Sequence, residues 1–124
     1  MDRAAVFQWT KDQFGTEPEY LWANHPRYAV LRNSVNGKWY AVVMEIPGSK
    51  LGRQGDSPVD VLNLKCGPVL SGSLRQEPGF FPAYHMNKTH WITAILDGTI
   101  PDQTLESFIT LSYELTCPGK KQPL

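Results

Sequence analysis

The densest group of chemically versatile side chains in this 124-residue chain is "YHMNKTHW", Tyr84 to Trp91. Two histidines, an asparagine, a lysine and two large aromatics fall within it. Such types serve metal ligation, nucleophilic catalysis, nucleic-acid contact, or the local needs of a turn. A zinc site needs three or four ligands at recognisable spacing. His85 and His90 are separated by four residues, His25 lies far upstream, and no cysteine or carboxylate nearby completes a set. No metal and no cofactor are expected on this basis.

Cys66 with His85 or His90 and Asn87 matches a Cys-His-Asn catalytic set in residue types only. A cysteine at a strand end is ordinarily a packing residue. Paired-carboxylate chemistry has no better anchor, because Glu45, Asp56, Asp60 and Glu77 are scattered along the middle of the chain. "GSKLGRQGDS" carries glycines and two cations but lacks the residue order of a phosphate-binding loop. Asn87-Lys88-Thr89 matches a glycosylation sequon, which has no use without a secretory signal.

Nucleic-acid contact asks for cations to neutralise phosphate, with asparagine and tryptophan for bases. Twelve basic and twelve acidic side chains cancel overall. They are unevenly placed: two basic against four acidic in residues 1–26, eight against four in 27–88, and two against four in 89–124. A mildly basic middle therefore sits between acidic ends. Neutral total charge disfavours strong non-specific binding to a polyanion.

These residues need a scaffold. Hydrophobic content of 41% and charged content of 19% exclude wholesale disorder. One domain over residues 1–117 is expected, with a flexible tail over 118–124. Residues 2–14 carry Ala4, Phe7, Lys11 and Phe14 at helical spacing, and Gly15 follows as a stop. "YAVLRNSVNGKWYAVVMEI", Tyr28 to Ile46, reads as two antiparallel strands around Asn36-Gly37, the dipeptide of a type I′ hairpin turn. Residues 47–58 form a breaker-rich loop. Val59 to Cys66 reads as a third strand, and Gly67 to Gln76 as a short helix with Pro68 in its first turn. "EPGFFPAYHM" reads as a connection, and His90 to Asp97 as a fourth strand. Leu105, Phe108, Ile109, Ser112, Tyr113 and Thr116 mark one stripe of a helix over 101–116. The layout implies a two-layer α+β fold, a mostly antiparallel sheet with the N- and C-terminal helices packed on one face. The opposite face would then be free for a partner.

Cys66 and Cys117 belong to no CxxC pair. "MDRAAVFQW" has no signal-peptide apolar core, and no apolar run approaches the roughly 18 residues of a membrane span. A cytoplasmic protein with reduced thiols and no membrane association is expected.

"PAYHMNKTHWITAILDGTIPDQTLESFITLSYELT", Pro82 to Thr116, resembles the C-terminal signature of the MmcQ/YjbR-like family. The shared pattern is Asn-Lys-x-His-Trp, a strand, an Asp-Gly turn and a helix ending in Ser-Tyr. Here these are Asn87, Lys88, His90, Trp91, Asp97, Gly98, Ser112 and Tyr113. "TEPEYLW", "NGKWYAVVM" and "LNLKC", which includes Lys65, are similar to the family too. The resemblance implies a CyaY-like, frataxin-like α+β fold whose hairpin-bearing face, a "double wing", binds double-stranded DNA. The chain lacks the acidic cluster of a frataxin-like iron role.

The leading expectation is a non-enzymatic DNA-binding protein. Phosphate contacts would come from Arg27, Arg32, Lys38, Lys50, Arg53, Lys65 and Lys88, and polar or stacking contacts from Trp39, Asn87 and His90. A second expectation is a module that binds a protein or small ligand through the free sheet face and the 47–58 loop. A third is an enzyme centred on Cys66 and His85. "YHMNKTHW" itself reads as a junction into the fourth strand, with Trp91 filling the core or covering its edge, Asn87 or His90 satisfying backbone groups and Lys88 facing a ligand.

Overall fold

The computed structural model describes residues 1–117, so the tail expected over 118–124 lies outside the described residues. Helix α1 spans Arg3–Phe14. Asp2 caps it by accepting the Ala5 N–H at 2.9 Å, and Gly15 ends it in the left-handed conformation at φ 70°. Its buried stripe is Val6 and Thr10, while Ala4 and Lys11 face solvent. Strands β1 (Ala29–Arg32) and β2 (Trp39–Pro47) form the expected hairpin. A short 3₁₀ turn, Gly48–Leu51, follows, then β3 (Pro58–Lys65) and α2 (Gly67–Leu74). β4 (Phe80–Pro82), β5 (Trp91–Ile95) and α3 (Asp102–Leu115) complete the described chain.

The five strands lie in the order β1-β2-β3-β5-β4, and every pairing is antiparallel. β4 corrects the reading of residues 77–86 as a connection: Phe80 pairs with Ala94 and Pro82 with Ile92. Three residues are too few to show alternation, and a proline is tolerated at a sheet edge.

One face of the sheet carries Leu31, Val43, Leu62, Leu64, Ile92 and Ala94. They pack against Val6 of α1, Leu74 of α2, and Leu105 and Ile109 of α3. The helices therefore share one face, and the α+β architecture is as the sequence implies. The opposite face is covered over most of its length, which corrects the expectation of a wholly free face. Val30, Val42, Met44, Ile46 and Val61 on that face are at most 3% exposed. Trp22, Tyr84 and Met86 from loops, and Leu51 from the 3₁₀ turn, cover them. Asn63 and Thr93 hydrogen-bond to each other beneath this cover, and the Thr93 hydroxyl accepts the Tyr84 N–H at 2.9 Å.

The hairpin turn also differs from expectation. A type I′ turn needs positive φ at both central residues, but only Gly37 has it, at 75°. The loop instead runs over residues 33–38, closed by Asn33 N–H to Lys38 O and Gly37 N–H to Asn33 O, each 2.7 Å. Tertiary bonds explain the change. The Asn36 amide donates to Thr116 O at 2.7 Å and the Asn33 amide to Tyr113 O at 3.2 Å, so the loop caps the C-terminus of α3. The register shifts beside it: Leu31 faces Ala41 but Arg32 faces Trp39. The extra residue, Tyr40, turns to the helix face, and Trp39 turns to the other.

Candidate functional site

The segment 87–90 is a turn clamped onto α2. The Asn87 side-chain oxygen accepts the Thr89 N–H at 2.8 Å and the His90 N–H at 3.2 Å. Its backbone oxygen accepts the Trp91 N–H at 2.9 Å. Lys88 O accepts from the Arg75 guanidinium at 2.6 Å, and Thr89 O from the Ser71 hydroxyl at 2.8 Å. His90 O accepts the N–H groups of Cys66 and Gly67 at 2.8 and 3.1 Å. Every backbone carbonyl of the turn is thus used inside the fold. The side chains of Lys88 and His90 are left exposed. Asn87 serves the turn, as the junction reading anticipates.

Register sorts the ten candidate residues to two ends of the sheet. Arg32, Trp39, Lys65 and the 87–90 turn lie where β1 ends and β2 begins, because Arg32 pairs with Trp39 and Lys65 with Trp91. Lys38 adjoins them in the hairpin loop. Lys50 and Arg53 lie past the far end of β2, about 25 Å away at about 3.3 Å per residue. Arg27 belongs with the far group, since it pairs with Glu45 at 2.7 Å and approaches Asp60 at 3.5 Å. The ten thus form two groups at opposite ends of the sheet.

The charges differ in kind. Arg53 is paired with Asp97, Arg27 with Glu45, and Arg32 with Glu19 at 3.0 Å. Among the described residues, none of Lys38, Lys50, Lys65 and Lys88 has a carboxylate within 4.0 Å. Three of these four lysines stand at the Trp39–Trp91 end.

Cys66 does not meet the conditions of a nucleophile. Burial pushes its thiol pKa up, against a smaller lowering influence from Arg75. Its thiol contacts Gly67 O at 3.6 Å, and no hydrogen bond joins it to a histidine among the described residues.

The YjbR family model matches residues 12–115. The chain belongs to the YjbR family. It is 40% identical over 116 residues to an uncharacterized protein, YyaQ, of Bacillus subtilis (strain 168), covering 94% of this chain and 98% of that protein. It is 31% identical over 103 residues to an uncharacterized protein, YbdF, of Escherichia coli O157:H7, covering 82% and 74%. A crystal structure of a Pseudomonas syringae protein superposes with a TM-score of 0.90 at 46% identity, over 94% of this chain and 99% of that one. A Deinococcus radiodurans protein, DR2400, shares the fold at a TM-score of 0.72 and 23% identity, over 98% and 83%.

In this YjbR protein the Ser-Tyr pair near the end of α3 is part of the framework. The Ser112 hydroxyl donates to Tyr40 O at 2.6 Å and accepts the Lys65 N–H at 2.9 Å. The β2–β3 register ends at Ala41 with Leu64, so Ser112 stands between the next two residues and seals the splayed strands. Tyr113 stacks on Phe14 at 4.0 Å and meets Tyr40 edge-on at 5.0 Å. These uses were invisible in sequence beyond the helical stripe that marked both residues. Arg75, which fixes Lys88 through its carbonyl, carried no signal at all.

Alternation places one further set together. Leu64 and Ile92 face the helices, so Lys65 and Trp91 face the other way. Arg32 and Trp39 lie on that same face, with the guanidinium 6.0 Å from the indole centroid. Across four strands the row reads Arg32, Trp39, Lys65, Trp91, and all four side chains are partly exposed.

Proposed function

We propose that this YjbR-family protein is a non-enzymatic, cytoplasmic DNA-binding protein that grips phosphates at the Trp39–Trp91 end of its sheet. The observation that carries the reading is the placement of Lys38, Lys65 and Lys88 there, each without a carboxylate within 4.0 Å among the described residues. A lysine already paired to a carboxylate gains little from a phosphate; an unpaired one gains the full exchange with released counterions. The far-end arginines Arg27 and Arg53 are already neutralised, and they are left out of the contact set. His90 and the Arg32–Trp39 pair supply polar and stacking contacts. The Asn87 side chain shapes the turn that presents Lys88.

Fluorescence anisotropy with labelled DNA, offered as duplex and as single strand over a salt series, tests this. Three phosphate contacts predict a log–log salt slope of about −3 on duplex and about −2 on single strands. Lys65→Ala with Lys88→Ala reduces the slope by one to two, roughly one unit per lost duplex contact. Lys50→Ala with Arg53→Ala leaves both slope and affinity unchanged. Absence of binding to either form at low salt refutes the reading.

A further inference from the structure

The row Arg32, Trp39, Lys65, Trp91 alternates cation and aromatic across four neighbouring strands. Residues directly opposite in an antiparallel pair have Cβ atoms about 5 Å apart, and strands lie about 4.8 Å apart. Trp39 on β2 and Trp91 on β5 are thus two strands apart with β3 and Lys65 between them, farther than two ideal strand spacings of about 4.8 Å because Ser112 holds β2 and β3 apart at this end. Trp39 is anchored by an edge contact to Trp22 at 5.7 Å and by the second apolar cluster. Trp91, the first residue of β5, joins neither apolar cluster although its strand is flanked by β3 and β4. Core packing thus explains Trp39 in part and leaves Trp91 unexplained.

We propose that this row is a stacking platform for unpaired bases, so that the ligand is single-stranded nucleic acid rather than duplex. The inference rests on the nucleic-acid reading above and names the form of its ligand. Tryptophan stacks on any base whose π face is available, and a duplex hides those faces inside its own stack. Indoles two strands apart suit bases splayed from one another, with the intervening phosphate taken by Lys65 on the strand between. Lys38, next to Trp39 in the chain, and Lys88, in the turn before Trp91, are exposed and would extend the backbone track beyond the row. Overall neutrality fits as well: stacking supplies affinity that three lysines alone do not. Glu19, bound to Arg32, caps the outer end of the row and limits it there.

Labelled oligo-dT, oligo-U and a mixed-sequence duplex of equal length, titrated against the full chain, decide the matter. Oligo-dT or oligo-U binds at least roughly tenfold tighter than duplex, and the ratio of the two names DNA or RNA as the preferred strand. Binding quenches tryptophan fluorescence. Trp91→Ala weakens single-strand binding by roughly tenfold, whereas Trp91→Phe retains most of it because the π face remains. Thermal melts of both variants show that the fold persists. Duplex bound as tightly as oligo-dT, or Trp91→Ala binding like the parent, overturns the platform while leaving the DNA-binding reading in place. Failure of all three probes to bind overturns both.

Discussion

Replacing Ser112 with alanine isolates the most consequential single hydroxyl in the fold. Ser112 is fully buried, and its oxygen bridges Tyr40 O and Lys65 N across the gap where β2 and β3 separate. Alanine keeps the helix and removes both bonds at once. A buried backbone group left unsatisfied costs about 1–3 kcal/mol. Two such groups set a range of about 2–6 kcal/mol, and partial solvent access at the half-buried Lys65 draws the expectation to about 3 kcal/mol. Unfolding entropy near 2.1 cal/mol/K per residue gives about 0.26 kcal/mol/K for this chain, so the melting temperature falls by about 12 °C. Far-UV circular dichroism melts and urea midpoints measure it. Ser71→Ala is the calibrating control, because it removes a single donated proton, shared between Thr89 O at 2.8 Å and Pro68 O at 3.3 Å, and strands no backbone N–H, so it shifts stability by about 1 kcal/mol. A Ser112→Ala loss no larger than that of Ser71→Ala would refute the bridging argument.

Two other expectations follow from buried geometry. Burial pushes the Tyr40 phenol up to about 12, with the Thr16 and Thr10 hydroxyls lowering it in part and Tyr113 adding a smaller raise. The unfolded phenol ionises near pH 10, so the stability this group contributes is complete below pH 10 and is lost as pH rises from 10 to about 12. The loss is roughly 2–3 kcal/mol by linkage, read from urea midpoints across that window, and Tyr40→Phe flattens the slope. Gly79 has φ +89°, and a Cβ there would lie 2.6 Å from Ile100 Cγ1, so Gly79→Ala destabilises by about 2–4 kcal/mol. Gly72 in α2 meets nothing within 4 Å, so Gly72→Ala instead stabilises by up to about 1 kcal/mol, and paired thermal melts check both signs.

How far the fold could be read in advance depended on where each element's determinants lie. α3 was legible residue by residue, because Leu105, Ile109, Ser112 and Thr116 repeat at helical spacing and are the residues that become buried. α1 was legible as a helix but its buried stripe was not: threonine at position 10 carries no apolar signal, yet its hydroxyl bonds Val6 O at 2.9 Å and it buries completely. The hairpin strands were legible from β-branched runs, whereas their turn is decided by acceptors about eighty residues away in α3. The cover over the second face was hidden because Trp22, Tyr84 and Met86 come from loops without periodicity. The site was legible as a set of residue types and illegible as a place. Its division into two ends follows from strand register, and the neutralised arginines find carboxylates such as Glu19 and Asp97 through tertiary contact.

The signature segments separate into residues the fold demands by type and residues it does not. Asn87 must offer a side-chain acceptor to two backbone N–H groups, and Ser112 must both donate and accept. No apolar residue replaces either. Lys88 and His90, by contrast, serve the fold through backbone carbonyls, which any residue supplies. Lys65 serves it through its N–H, which any residue but proline supplies. A structural account therefore exhausts Asn87 and Ser112 and says nothing about why lysine stands at 65 and 88 or an imidazole at 90. Trp91 is in the same position, partly exposed beside Lys65 and outside both apolar clusters. Lys65 and Trp91 share a sheet face with Trp39, Lys88 and His90 stand exposed in the turn that leads into Trp91, and the proposed ligand, carrying both negative charge and flat aromatic surface, would use all of them at once.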